Sequence, residues 1–255
     1  MGGEIAMKMN RTLWIKALSA VPLCLILYCF NLIPGSQAGE SLTDVFTKTI
    51  FGKLDYQYSY VYAMAAENVA FILLFDILFA GHLTGHFRYS CVYVFTRIRS
   101  RRQWYFSRVG ELTVCALFYS FLYVLCSLLV SINATQKLPD GLLLQRVALV
   151  FLFAFTLVLA SAVSVNLLAL RFGTAVGFFS VAAVIFGLIA LLILTYRNRV
   201  LVMFNPLACL NLFQLGRNTG MFTIGYDLLI LIAVVLIGSV IVNRYDVALF
   251  DPELN

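Results

Sequence analysis

The stretch from Val147 to Leu194 is apolar almost without a break. As a helix it would run about 70 Å, more than twice the ~30 Å hydrocarbon thickness of a bilayer. A water-soluble domain has no means of hiding so long a run. One straight helix, equally, would overshoot a single membrane, so the chain must turn inside it. The interruption is "LRFG", Leu170 to Gly173, where a charge and a glycine come together. The run therefore reads as a hairpin of two spans, 147–170 and 172–194.

Four further apolar runs cover 13–33, 58–80, 112–131 and 224–242. The expected fold is all-α: a polytopic membrane protein with six transmembrane helices in one domain over 1–255. Composition agrees, with only 12% of residues charged against about 25% in soluble domains. Lys8 and Arg11 precede the first run, and Ser36-Gln37-Ala38 offers a cleavage-like site. That run is nevertheless longer than the roughly 7–15 apolar residues of a secretory signal, which predicts an uncleaved first span.

Lysine and arginine near span ends set the orientation. With a cytoplasmic N-terminus, the inner side holds Lys8, Arg11, Lys16, six arginines from Arg88 to Arg108, Arg171 and Arg244. The outer side holds Lys48, Lys53, Lys137, Arg146, Arg197, Arg199 and Arg217. The six-arginine connector decides the balance, and both termini are expected inside. "RIRSRRQWYFSR", Arg97 to Arg108, mixes basic residues with aromatics as nucleic-acid-binding segments do. A bilayer already accounts for that mixture: positive charge stays on the inner face against anionic lipid, and aromatics sit at headgroup level. No nucleic acid is expected as a partner.

The two long outer connections carry patterns of their own. Ser41-Leu42-Thr43-Asp44 has the form of a capping box. Leu42, Val45, Phe46, Ile50 and Leu54 follow at helical spacing, which predicts a short amphipathic helix on the outer membrane surface. Within 197–223, "FNPLACLNLFQLG" is apolar but too short to span, and reads as re-entrant or interfacial.

The candidates for chemistry are few. The six cysteines show no C-x-x-C spacing and read as small buried hydrophobes. His82 and His86 share a helix face, but two ligands do not make a metal site, and a solvated helix end is expected there. No metal is assigned. The motifs of P-loops, of G-x-S-x-G hydrolases and of H-E-x-x-H metalloproteases do not occur. Glu67, Asn68 and Asp76 fall inside the second span. A carboxylate there costs on the order of 2.5–3.5 kcal/mol on insertion scales, so each should face protein or water. Nine residues separate Glu67 from Asp76, which puts them on opposite faces rather than in one acid–base pair. Asp76 lies near the inner end, where it is expected to reach water. Glu67 reads either as a cavity-lining residue or as a hydrogen-bond partner of a neighbouring helix. Gly81-x-x-x-Gly85 and Gly173-x-x-x-Gly177 are candidate close helix contacts.

The layout joins six spans, a sizeable inner segment (81–111) between spans two and three, and an interrupted apolar outer segment between spans five and six. It resembles the permease subunit of a bacterial ABC transporter of the second exporter class, the drug, peptide and polysaccharide exporters. The local likeness falls on "TRIRSRRQWYFSR", through Ser100-Arg101, Trp104 and Arg108, and on Asn205-Pro206 in the outer segment. The resemblance implies a multi-pass chain of the bacterial plasma membrane, without catalysis of its own. ATP and Mg would be held by a separate ATP-binding subunit dimer, and a second permease copy or related chain would complete the pathway. A coupling helix at about Leu83 to Phe95 would dock on the ATPase, with Leu83, Phe87 and Tyr89 as anchors and Arg88 at the rim. The bland reading of the same segment is an interfacial helix held by lipid. Arg97, Arg99, Ser100, Arg101, Arg102, Trp104 and Arg108 would form a basic collar on the inner face, and Glu67, Asn68 and Asp76 are candidates to line the route. The cargo implied is a peptide, antibiotic or other amphipathic molecule, exported rather than imported. The alternative is a non-transporting membrane protein: an intramembrane enzyme, or a sensor or assembly subunit. An enzyme would have to draw on Glu67, Asn68, Asp76, Ser161, Ser164 and Asn166.

Overall fold

The computed structural model describes residues 41–50, 61–85, 101–135, 141–195 and 198–244, together with Ile15, Lys16, Leu18 and Val21. Within these ranges the side chains of 48–49, 61–68, 134, 199 and 209–221 are not described. The described elements are helices: α1 (Leu42–Ile50), α2 (Val61–Phe79), α3 (Arg101–Thr135), α4 (Leu143–Phe172), α5 (Thr174–Thr195), α6 (Arg199–Met203), a 3-10 turn (Pro206–Asn211) and α7 (Leu212–Arg244). No strand occurs among the described residues. Among the described residues, four stretches are long and apolar enough to cross a membrane: Arg101–Asn133, Leu143–Phe172, Thr174–Thr195 and Phe222–Arg244. The expected first span, 13–33, lies outside the described residues apart from four helical positions.

α4 is the central post. It packs against α1, α2, α3, α5 and α7, and it buries the largest share of its apolar stretch of the four candidate spans. Its core face carries small and branched residues, among them Val158, Ala162, Val163 and Val165, all fully buried. Small side chains let five neighbours come close to one helix. Among the hydroxyl residues, Ser127, Ser131, Thr156 and Ser164 each donate to the carbonyl four residues back. Such bonds satisfy a hydroxyl inside its own helix, where lipid offers no partner.

The expected hairpin is present. α4 ends at Phe172, Gly173 turns the chain with φ 91° and ψ 160°, and α5 begins at Thr174. That combination of angles belongs essentially to glycine. One residue suffices for the turn because the helices meet almost backbone to backbone: a Cβ on Gly177 would stand 2.7 Å from the Val165 carbonyl oxygen and 2.8 Å from the Ala169 nitrogen. Gly173-x-x-x-Gly177 is thus a true close contact. Gly81-x-x-x-Gly85 is not: a Cβ on Gly85 would meet nothing within 4 Å, and one on Gly81 only ordinary neighbours.

Ser41 caps α1 as the sequence predicts, its hydroxyl accepting from the Asp44 backbone N–H at 3.1 Å and donating to the Asp44 carboxylate at 2.9 Å. The location of α1 corrects the expectation of a helix resting on the membrane surface. Leu42, Thr43, Val45, Phe46, Thr47 and Ile50 are all buried, an arc of about 200° at 100° per residue. A surface helix would leave its threonines wet. Here α3, α4 and α7 cover them.

Two other expectations change in extent. α3 is 35 residues long, about 52 Å by rise, and it begins inside the arginine-rich segment rather than at Leu112. The apolar piece 204–216 is broken by the 3-10 turn (Pro206–Asn211), but its last five residues, 212–216, already belong to α7, which starts twelve residues before the expected span at 224. Asn205 holds it, donating from Nδ2 to the Leu188 carbonyl on α5 at 2.8 Å while Oδ1 accepts from the Leu207 N–H at 2.8 Å.

Candidate functional site

Basic residues gather at one end of the bundle: Arg101, Arg102 and Arg108 in the first turns of α3, Arg171 at the end of α4 and Arg244 at the end of α7. Two contacts show that these helix ends lie together. Gly238 of α7 sits under the Tyr105 hydroxyl of α3 and close to Leu167 of α4, and Asn166 of α4 bonds to Phe79 at the end of α2.

The local chemistry at this end begins with the break in α2. The helix stops at Phe79, turns through Ala80 and Gly81, and resumes as a short helical piece over 82–85. A helix end leaves carbonyls without partners, and a new start leaves N–H groups without partners. Asn166 serves both sides. Its Nδ2 donates to the Phe79 carbonyl at 2.9 Å and to its own helix at the Ala162 carbonyl at 2.8 Å, while Oδ1 accepts from the Leu83 N–H at 2.9 Å. Lys16 adds a bond from Nζ to the Leu78 carbonyl at 3.2 Å, a cation at a helix C-terminus. Beside the break, Glu111 of α3 binds Arg108 through both carboxylate oxygens, at 2.7 and 2.8 Å. The same carboxylate lies 3.3 Å from His82 Nε2. The start of the 81–111 connector is therefore tied to α2, α3 and α4 at once.

Several expected roles change in this setting. Leu83, expected as an anchor for a partner, is 2% exposed and packs in the core of its own bundle. Trp104 and Tyr105 are buried against protein, while Phe106 remains exposed. Arg108 is held by Glu111, whereas Arg102 is exposed and Arg101 half-buried. His82 is not a solvated end, its side chain being 5% exposed. Phe87, Arg88, Tyr89, Arg97, Arg99, Ser100 and His86 lie outside the described residues. So do the side chains of Glu67 and Asn68, although both positions are helical.

Asp76 does not reach water. It is 1% exposed, and Ser161 of α4 donates a short hydrogen bond to its Oδ2. The expectation fails because exposure at a helix end depends on what packs there, and here α4 covers it. Cys115 and Cys126 are buried free thiols, as expected of small apolar fillers.

One buried acid escapes a reading of the sequence. Asp227 of α7 is 2% exposed, and neither of its carboxylate oxygens has a hydrogen-bond partner. The signal is there to be found: an aspartate stands three residues inside the apolar run 224–242.

The fold and these buried polar groups define an all-helical, multi-pass membrane protein. No protein-family model matches the chain, and no curated protein or solved structure matches it either.

Proposed function

We propose that the chain is the membrane-spanning subunit of an ATP-driven exporter in a bacterial plasma membrane. It has six spans with both termini and the basic end in the cytoplasm. A separate ATP-binding subunit supplies hydrolysis, and a second copy or related chain completes the pathway. The cargo is a peptide, antibiotic or other amphipathic molecule.

The observation that carries this reading is the knot at the basic end. Residues 82–85, where the connector between α2 and α3 begins, are clamped by Asn166 to α4 and placed through His82 and Glu111 beside α3. Force applied to residues 86–100 thus reaches three helices instead of dissipating in a loose loop. An ATPase moves such a bundle only if it binds one arrangement of the helices better than another, and a stiff attachment makes that difference large. The irregular segment from α6 to the 3-10 turn, folded back against α5 and α7, agrees with the same layout.

The test is purification of the affinity-tagged chain from its native membranes in mild detergent. The expected result is a co-purifying ATP-hydrolysing chain that carries a P-loop. Arg88→Glu in the connector should cut that recovery, and the associated hydrolysis, at least fivefold. Recovery of the chain alone, with no hydrolysis, contradicts the proposal and favours a sensor or assembly subunit.

A further inference from the structure

The knot at the basic end contains one of the chain's two histidines. His82 opens the short helical piece that follows the break in α2. Its side chain is almost wholly covered by protein, and its Nε2 lies 3.3 Å from Glu111 Oε2 on α3. Glu111 already binds Arg108, whose Nη1 donates to both carboxylate oxygens. That guanidinium–carboxylate pair adds no net charge. The charge of the knot is therefore set by whether the imidazole carries a second proton. Arg108 and Glu111 keep part of their surface exposed, which gives that proton a way in.

Imidazole is the side chain that ordinarily changes charge between about pH 5 and 8. The other groups around the break are of different kinds. α2 itself carries Asp76 six residues earlier, bonded to Ser161. The first span brings Lys16, whose ammonium donates to the Leu78 carbonyl. α4 presents Asn166, which is neutral at every pH, and α5 sets Thr174 beside Gly81. α3 presents Glu111 and Arg108, with Cys115 about one turn beyond Glu111.

Two attachments hold residues 82–85 to the bundle, and they differ in kind. The bond from the Leu83 N–H to Asn166 Oδ1 joins neutral groups and is the same at any pH. The approach of His82 to Glu111 sets a carboxylate against a ring that is either neutral or cationic. Charge-assisted hydrogen bonds are roughly twice as strong as neutral ones, and opposite charges this close attract strongly where water screens them only in part. Linkage fixes the sign. The cation meets Glu111 only while the break rests on α3, so protonation and that arrangement favour one another by the same factor. The attachment is tight on the acid side of the imidazole range and loosens as pH rises through it.

We propose that His82 is a proton-operated latch: protonated, it binds Glu111 and locks the root of the α2–α3 connector to α3; neutral, it leaves that root to the Asn166 clamp. The inference adds regulation to the transport reading and rests on it for its purpose, since acid then stiffens the joint through which an ATPase pulls. The latch itself works in the chain alone. A failed ATPase co-purification leaves its test untouched, and a flat pH profile leaves the co-purification untouched.

The experiment is hydrogen–deuterium exchange of the purified full chain in lipid nanodiscs at pH 6 and pH 8. Rates are corrected for the intrinsic pH dependence of exchange and read on peptides spanning 80–85. Wild type should exchange at least fivefold more slowly at pH 6. His82→Gln and Glu111→Gln should each bring the two rates within twofold, whereas Asp76→Asn should keep the wild-type difference. Carbon-13 NMR of labelled histidine rings gives a second reading, because only His82 and His86 contribute. The His82 signal, assigned by its loss in His82→Gln, should titrate between about pH 5 and 8, and Glu111→Gln should move its midpoint to lower pH. Equal exchange at the two pH values in wild type, or faster exchange at pH 6, overturns the latch. So does a pH difference that survives in folded His82→Gln, or a His82 signal that does not titrate in the folded protein.

Discussion

At the scale of single residues, the polar side chains in this bundle divide by what covers them. Sequence shows that Asp76, Asn166 and Asp227 fall in apolar runs, yet it does not show which of them a neighbouring helix will satisfy. Asn166 has three bonds, Asp76 is paired with Ser161, and Asp227 has no partner. The spacing of apolar residues is a property of one helix, whereas satisfaction is a property of two. For that reason sequence alone puts Asp76 in water and gives Asp227 no role. Asn166→Leu removes the clamp and leaves the Phe79 carbonyl and the Leu83 N–H buried without their partner. Each such group costs about 1–3 kcal/mol, so the variant should lose roughly 2–6 kcal/mol against unfolding. The measurement is thermal or denaturant unfolding in detergent micelles, followed by tryptophan fluorescence. A loss below about 0.5 kcal/mol would mean that the break in α2 is held by something else.

At the scale of elements, the apolar runs were legible and their ends were not. The hairpin at Gly173 could be read because a glycine and an arginine interrupt forty-eight apolar-rich residues, 147–194, and the Ser41 cap because its spacing is local. The early start of α3 was hidden. Arginine and glutamine are good helix formers, but hydropathy marks only where a helix is greasy. The placement of α1 was hidden for another reason: an amphipathic nonamer looks alike whether lipid or protein meets its apolar side. Burial in protein gives α1 a measurable signature. Phe46→Cys should resist a membrane-permeant maleimide in the native protein and react on unfolding. Adding Ser41→Ala to that variant should weaken the protection by about 1 kcal/mol, the usual worth of an N-cap. Rapid labelling of the folded Phe46→Cys protein would place α1 on the surface after all.

At the scale of the whole molecule, the bundle is polarised. Arg101, Arg102, Arg108, Arg171 and Arg244 share one end, and residues 82–85, at the start of the α2–α3 connector, are tied to it. The class of fold was legible from composition and run length, because in a bilayer only helices with internally satisfied backbones can span. Functional assignment depends on which side that end faces, since an ATPase and the positive-inside bias both belong to the cytoplasm. The direct measurement is cysteine labelling in intact cells with a membrane-impermeant maleimide, in a background lacking the native cysteines. The two reporters are Arg102→Cys at the basic end and Leu142→Cys at the opposite end, both at exposed positions. The account predicts labelling of Leu142→Cys in intact cells and of Arg102→Cys only after the cells are opened. Labelling of Arg102→Cys from outside contradicts the orientation, and with it the docking of an ATPase on this end.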